Sequence, residues 1–401
     1  PCLIWAHNLG LGRNLHLSRE LTSAAHALGI PLVAHHHDWW FENRWHHFAV
    51  GRQRGVSELD RMANTVLAAS PRICHVAINQ ADAAVLARHF PGRSGWLPNP
   101  VERGTPPPAA RVRAARAWLR EQLGEDAPVW LLPCRLLRRK NLAEALLLTR
   151  WLRPEAWLVT TGGVSSAEEQ FYADTLNAAA QERGWRLRLG LLEGEEALKP
   201  SVQELLAASE AVLLTSLQEG FGLPYLEAIA AGRPLLARHL SNIGPDLRTF
   251  GFTFAQSYNE VRVDPSLFDW RGEQRRQARV FAEWKRLMPR TASRLAGRPA
   301  LLAAGNQPLP VPFSRLTLTA QMEVLGQPVE RSWERCAQIN PFLKTWRARA
   351  AAGAFTVSPW PRSAVRWLGG NVYARRFLEL ASSLLEEAPR LGASGAAQGD
   401  R

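Results

Sequence analysis

Short apolar runs recur along this chain, each followed by a polar loop and then by a stretch with helical spacing. That alternation constrains the fold more than any other feature. Leu3-Ile4-Trp5-Ala6 leads into His7-Asn8-Leu9-Gly10-Leu11-Gly12 and a helical pattern that reaches Leu28. Gly29 stops that helix, because a residue without a Cβ adopts the left-handed turn past a helix end at no steric cost. Pro31-Leu32-Val33-Ala34 opens the next strand, 73–78 reads as a third, and a helix to Phe90 precedes a short strand ending at Leu97. Strand, helix, strand in repetition predicts an α/β fold with parallel sheets covered by helices.

Pro106-Pro107-Pro108 and the charged helical stretch after it suit a connector. A second series then predicts strands at 130–133, 157–160, 187–189, 212–215 and 234–237. Beyond about residue 263 the pattern turns helical, interrupted by a Pro/Gly-rich loop over 297–312. The predicted organisation is therefore a first Rossmann-like domain over 1–103, a linker over 104–128, a second Rossmann-like domain over 129–262, a helical extension over 263–390 and a disordered tail over 391–401. The first domain supplies only about three or four strands where such a half carries about five or six, so an N-terminally incomplete domain is expected. Apolar spacing in 371–387 (Val372, Phe377, Leu378, Leu380, Leu384) predicts a last helix that packs back on the first domain.

A net charge of +13 raises nucleic acid as a partner. Only four of the 49 basic residues are lysines, however, and the arginines are scattered without a basic block, so nucleic acid is not expected. The four cysteines form no CxxC pair, and no apolar run reaches the ~18 residues of a membrane span. A cytoplasmic protein is the expectation, with a peripheral contact at the inner membrane face as an option.

The strongest chemical signal is Glu219-Gly220-Phe221-Gly222-Leu223-Pro224-Tyr225-Leu226-Glu227, after the strand 212–215. Pro224 suits a first helical turn, where its missing N–H would be unpaired anyway. A helix over 224–231 then aims its N-terminus at the carboxyl edge of the sheet, where open α/β sheets bind ligands. Two glycines let backbone N–H groups approach, and a helix N-terminus favours a diphosphate. Glu219 and Glu227 place two carboxylates at different depths of one pocket. No Asp-x-Asp occurs in the chain, so no metal is expected to hold the diphosphate.

This segment resembles the E-x₇-E signature of the family-four retaining glycosyltransferases of the GT-B fold (glycosyl transferases group 1), and Ala228-Ile229-Ala230-Ala231-Gly232-Arg233-Pro234 matches its usual continuation. Upstream, Cys134-Arg135-Leu136-Leu137-Arg138-Arg139-Lys140-Asn141 is similar to the family's Gly-Arg-Leu followed by Lys, with Cys134 in place of the glycine. Pro245-Asp246 stands where the family often has Pro-Glu, and Leu97-Pro98-Asn99-Pro100-Val101 resembles the segment that closes the first domain. The resemblance implies a GT-B fold and transfer of a sugar from a nucleoside-diphosphate sugar to an unknown acceptor, with no cofactor. It implies that Arg135 and Lys140 neutralise the diphosphate and that Glu227 holds the ribose. Glu219, with Gly220, Phe221, Gly222 and Leu223, would orient the donor sugar, and His37 would touch it from the first domain. The front-face mechanism of the family follows, with Glu219 and His37 as catalytic residues. Arg138 and Arg139 are expected to be solvated.

Alternatives within reach are a sugar-nucleotide epimerase of the same fold and a non-catalytic nucleotide-sugar-binding module. Gly10 and Gly12 also admit a reading as the glycine loop of a first strand. His35, His36, His37, Asp38, His46 and His47 suggest a metal, but neighbouring strand residues face opposite ways, so no metal is expected there. Trp39, Trp40 and Trp45 suit either a sugar-stacking platform or the core.

Overall fold

The computed structural model describes residues 2–43, 59–194, 199–305 and 307–386. The chain forms two compact units. One comprises the residues up to Glu102, Arg286–Arg294 and the chain from Val365 on; the other comprises Arg103–Lys285 and Leu295–Ala364. Trp45, His46, His47 and the tail 391–401 lie outside the described residues.

In the first unit β1 (Ile4–His7), β2 (Leu32–His36), β3 (Ile73–Ala77) and β4 (Ser94–Trp96) form a parallel sheet in sequential order. β2 and β3 are buried along their whole length, which is why they lack the polar alternation of a half-wet strand. β1 is an edge strand that alternates half-buried Ile4 and Ala6 with exposed Trp5 and His7. The helix Gly370–Glu386 returns to this sheet, as its apolar spacing predicts. Leu384 joins Val33, Cys74, Val76 and Leu97 in one core cluster, with Tyr373, Phe377 and Leu380 against it. Leu378 instead points outward, 61% exposed.

In the second unit six strands form one parallel sheet: β5 (Val129–Leu132), β6 (Trp157–Thr160), β7 (Leu187–Arg188), β8 (Ala211–Leu214), β9 (Leu235–Arg238) and β10 (Gln256–Tyr258). Their order is β10-β9-β8-β5-β6-β7. The polar β10 gives no apolar run, so the sequence did not suggest it. The chain winds outward from β5 in one direction and then from β8 in the other. The crevice between the carboxyl ends of these two strands is therefore the topological switch point.

The helix Leu142–Leu152 is buried at every position except Arg150, and a helix without a polar face must be covered all round. The helices Leu318–Leu325, Val329–Ala337 and Pro341–Ala351 supply that cover. Trp151 Nε1 donates to Ser332 Oγ at 2.9 Å. The helical extension is thus divided between the two units. The stretch expected as a connector contains the helix Ala109–Leu123, held in the second unit by buried Ala115 and Leu119. Its Arg111 Nε lies 2.6 Å from Glu204 Oε1. The Pro/Gly-rich loop ends in β12 (Val311–Pro312), antiparallel to β11 (Arg262–Val263). Pro312 is tolerated there because the two-stranded pair has free edges. No helix among the described residues is long and apolar enough to cross a membrane.

Candidate functional site

β5 and β8 each deliver a loop to the switch point. After β5, Pro133-Cys134-Arg135-Leu136 leads to a short 3₁₀ turn, Arg138–Lys140, and Asn141 takes the left-handed conformation (φ 56°) before the next helix. This reversal turns Lys140 inward, where it is buried, and leaves Arg135 and Arg138 exposed. After β8 the chain passes Thr215 and Ser216 to Glu219-Gly220-Phe221-Gly222 and the helix Leu223–Ala230, with Pro224 in its first turn as expected. Hydrogen bonds join the loops: Thr215 Oγ1 donates to Lys140 O (2.9 Å) and Leu217 N–H to Arg139 O (2.8 Å).

Glu219 is the centre of this junction. Its Oε1 accepts from Lys140 Nζ at 2.5 Å, and its Oε2 lies 3.6 Å from Arg139 Nη1. Asn242 Nδ2 donates to its carbonyl oxygen at 2.5 Å. Arg139, expected to be solvated, is half-buried on this cluster and also donates to Gln218 O at 2.9 Å. Proximity of Arg139 to Glu219 was not legible because it depends on the packing of one loop on the other. Arg138 does remain exposed; its backbone N–H donates to Glu169 Oε2 at 2.7 Å. Arg135 is exposed and has no polar side-chain partner among the described residues. Its Cγ lies 3.0 Å from where a Cβ on Gly162 would sit, so the glycine makes room for the arginine stem. Cys134 is buried and free of positive φ, so a side chain costs no backbone strain there. Burial pushes its thiol up to about 12, which removes it as a nucleophile.

Gly222 is required on two counts: its φ is +88°, and a Cβ on it would lie 2.7 Å from Ile243 Cδ1. Phe221 is buried against Phe250 (ring centroids 6.1 Å apart), so only its backbone is left for a ligand. Leu223 is exposed on the first helical turn. Glu227, one turn further on, is exposed as a residue, yet desolvation by the protein around its carboxyl raises its pKa. A cavity of about 690 Å³ opens at the opposite, amino edge of the same sheet, lined in part by Arg116, Glu210, Arg233 and Pro234. It holds no residue of the two loops and faces no helix N-terminus of the switch point, so the carboxyl edge is the better-equipped site.

In the first unit β2 and the residue just after it present His35 and His37 to one side and His36 to the other. His36 Nε2 meets His75 Nδ1 at 3.0 Å and its ring stacks on Trp39. His35 Nε2 meets Leu97 O at 3.1 Å, and His37 Nε2 meets His7 Nδ1 at 3.1 Å. Burial depresses all three, His35 to about 4, because an imidazolium is disfavoured away from water. Trp39 and Trp40 are buried, with Trp39 Nε1 donating to Asp82 at 2.9 Å, which places them in the core and leaves no sugar platform there. A Cβ on Gly10 would lie 2.6 Å from His36 Nδ1, so this glycine serves the packing of His36.

A doubly wound parallel sheet with two loops at its switch point in one unit, and in the other a parallel sheet that carries the C-terminal helix, are the two halves of the GT-B class of fold. Residues 119–247, about a third of the chain, match the family Glycosyl transferases group 1. The chain is 26% identical over 253 residues (60% of this chain, 47% of the relative) to mannosylglucosyl-3-phosphoglycerate synthase of Petrotoga mobilis. It is 27% identical over 274 residues (63% of this chain, 60% of the relative) to mannosylglucosylglycerate synthase of Thermotoga maritima. It thus spans about half the length of the curated relatives it matches. Among solved structures it resembles HepE of Anabaena in complex with UDP, with a TM-score of 0.51 and 17% identity over 95% of this chain and 79% of that one. The same protein with UDP-glucose matches with a TM-score of 0.50, 17% identity, and 95% and 78% coverage.

Proposed function

We propose that the chain is the sugar-nucleotide-dependent part of a glycosyltransferase, moving a hexosyl group from a nucleoside-diphosphate sugar to an acceptor with retention. One observation carries this reading: Lys140 and Arg139 converge on Glu219 at the switch point, beside the Gly220–Gly222 turn and the N-terminus of the helix Leu223–Ala230. A departing nucleoside diphosphate needs positive charge where its negative charge grows, and cations with oriented backbone N–H groups provide it without a divalent ion. Arg135 reaches out to the diphosphate, Lys140 is held in place by Glu219, and Glu227 accepts from the ribose hydroxyls. Both oxygens of Glu219 are engaged by cations, which argues against a carboxylate nucleophile and for the front-face route, in which the leaving phosphate takes the acceptor proton. HepE was solved with UDP and with UDP-glucose, which supports the class of donor and leaves the acceptor open.

The test is turnover: incubation with UDP-, GDP- and ADP-hexoses and a panel of small polyol and sugar acceptors, followed by NMR of the products. A new glycosidic bond with the donor's anomeric configuration is expected. A changed sugar nucleotide without transfer would assign an epimerase, and saturable nucleotide binding without any turnover would assign a binding module.

A further inference from the structure

We propose that His7, His35 and His37 form a transition-metal site on the first unit, selective for an ion that favours imidazole, such as Zn²⁺. One ring nitrogen of each lies within 4.8 Å of the others, and no other described group of His, Cys, Asp and Glu comes together in this way. His7 comes from the edge strand β1, and Ala6 and His7 pair in register with Ala34 and His35 of β2. Residues 35 and 37 share a face, so the third ligand of the cluster comes from the neighbouring strand.

A second, independent observation concerns His35. It is fully buried, its Nε2 is committed to Leu97 O, and its Nδ1 has no hydrogen-bond partner. A ring nitrogen that donates to a backbone carbonyl fixes the tautomer, leaving the other nitrogen with a lone pair to offer a metal. Three imidazoles with an open fourth position are the ligand set of catalytic zinc sites. Tetrahedral coordination at about 2.0–2.1 Å separates ligand nitrogens by roughly 3.3 Å. The His7–His37 pair is already at 3.1 Å. Trp5 lies over His7 (centroids 4.5 Å) and His35 (6.2 Å), shielding one side of the cluster.

The three histidines belong to the first unit and the donor loops to the second, so this proposal does not depend on the reading of those loops. The experiment is calorimetric titration of tag-free protein with Zn²⁺, and with Co²⁺ while following its visible d–d absorption. One ion per chain is expected to bind. His7→Ala and His37→Ala should each weaken binding by roughly tenfold or more, whereas His16→Ala, on an exposed helix face, should leave it unchanged. His7 is solvent-exposed, so its variant should fold, and a melting curve verifies this. No saturable binding by wild type overturns the proposal, as does a folded His7→Ala variant that binds as wild type does, or equal losses in His7→Ala and His16→Ala. UDP titration beside the Zn²⁺ titration keeps the two readings apart, since each ligand can bind or fail without the other.

Discussion

Glu219→Gln tests the centre of the candidate donor site. The Glu219 and Lys140 side chains are only 8% and 10% exposed, and their ion pair is 2.5 Å long. Removing one member of a buried pair costs about 3–5 kcal/mol, because the other charge is left without compensation. Two features put this case at the lower end. Arg139 lies further off at 3.6 Å with its side chain 31% exposed, so water still serves it, and the new amide oxygen still accepts from Lys140. A loss of about 3 kcal/mol lowers the melting temperature of a unit of this size by roughly 6–12 °C. A nucleoside diphosphate then restores the missing negative charge. UDP should therefore raise the melting temperature of the variant by more than it raises that of wild type. Differential scanning fluorimetry over a UDP series reads both effects. A variant that melts within about 2 °C of wild type, or one that UDP stabilises less, would refute the reasoning.

Other consequences follow from the same loops. Arg135→Ala should weaken binding of the nucleoside diphosphate by roughly tenfold or more, since a charge-assisted contact contributes about 1.5–3 kcal/mol. Arg138→Ala should leave binding unchanged, because only the backbone of that residue is engaged, and EDTA should have no effect on wild type; calorimetry of all four samples checks this. Glu227 supplies a pH dependence. Its pKa is raised by desolvation, so it protonates at higher pH than an ordinary carboxyl and loses its acceptor charge earlier on acidification. Nucleotide affinity should fall as pH drops toward that raised value and Glu227→Gln should flatten the profile; a profile identical in the two proteins would remove Glu227 from the ribose.

Much of the first-order architecture was legible locally. Nine strands fall where apolar runs predicted them, and β2, β3, β5, β8 and β9 show why: a strand buried on both faces must be apolar whatever its neighbours are. Gly29 ends its helix at φ +65°, and Pro224 sits in its first turn, for equally local reasons. β10 escaped because Gln256-Ser257-Tyr258 carries no apolar signal, and the β11–β12 pair because one partner lies within a Pro/Gly-rich loop. The helix Ala109–Leu123 looked like a connector because its polar surface conceals the two buried positions that dock it.

The amino-acid sequence by itself determined the class of fold, the two loops of the candidate donor site and the residue types on them, since these follow from periodicity, turn chemistry and spacing along the chain. The tertiary structure alone decided which side chains meet. Arg139 and Arg138 are adjacent and chemically identical, yet one faces Glu219 and the other faces solvent, because successive residues of the 3₁₀ turn point in different directions. His35, His36 and His37 are consecutive, yet only the first and third gather with His7, thirty residues away from His37 in the chain. Ion pairs and ligand clusters form across strands and loops brought together by sheet order, and sheet order is a property of how the whole core packs.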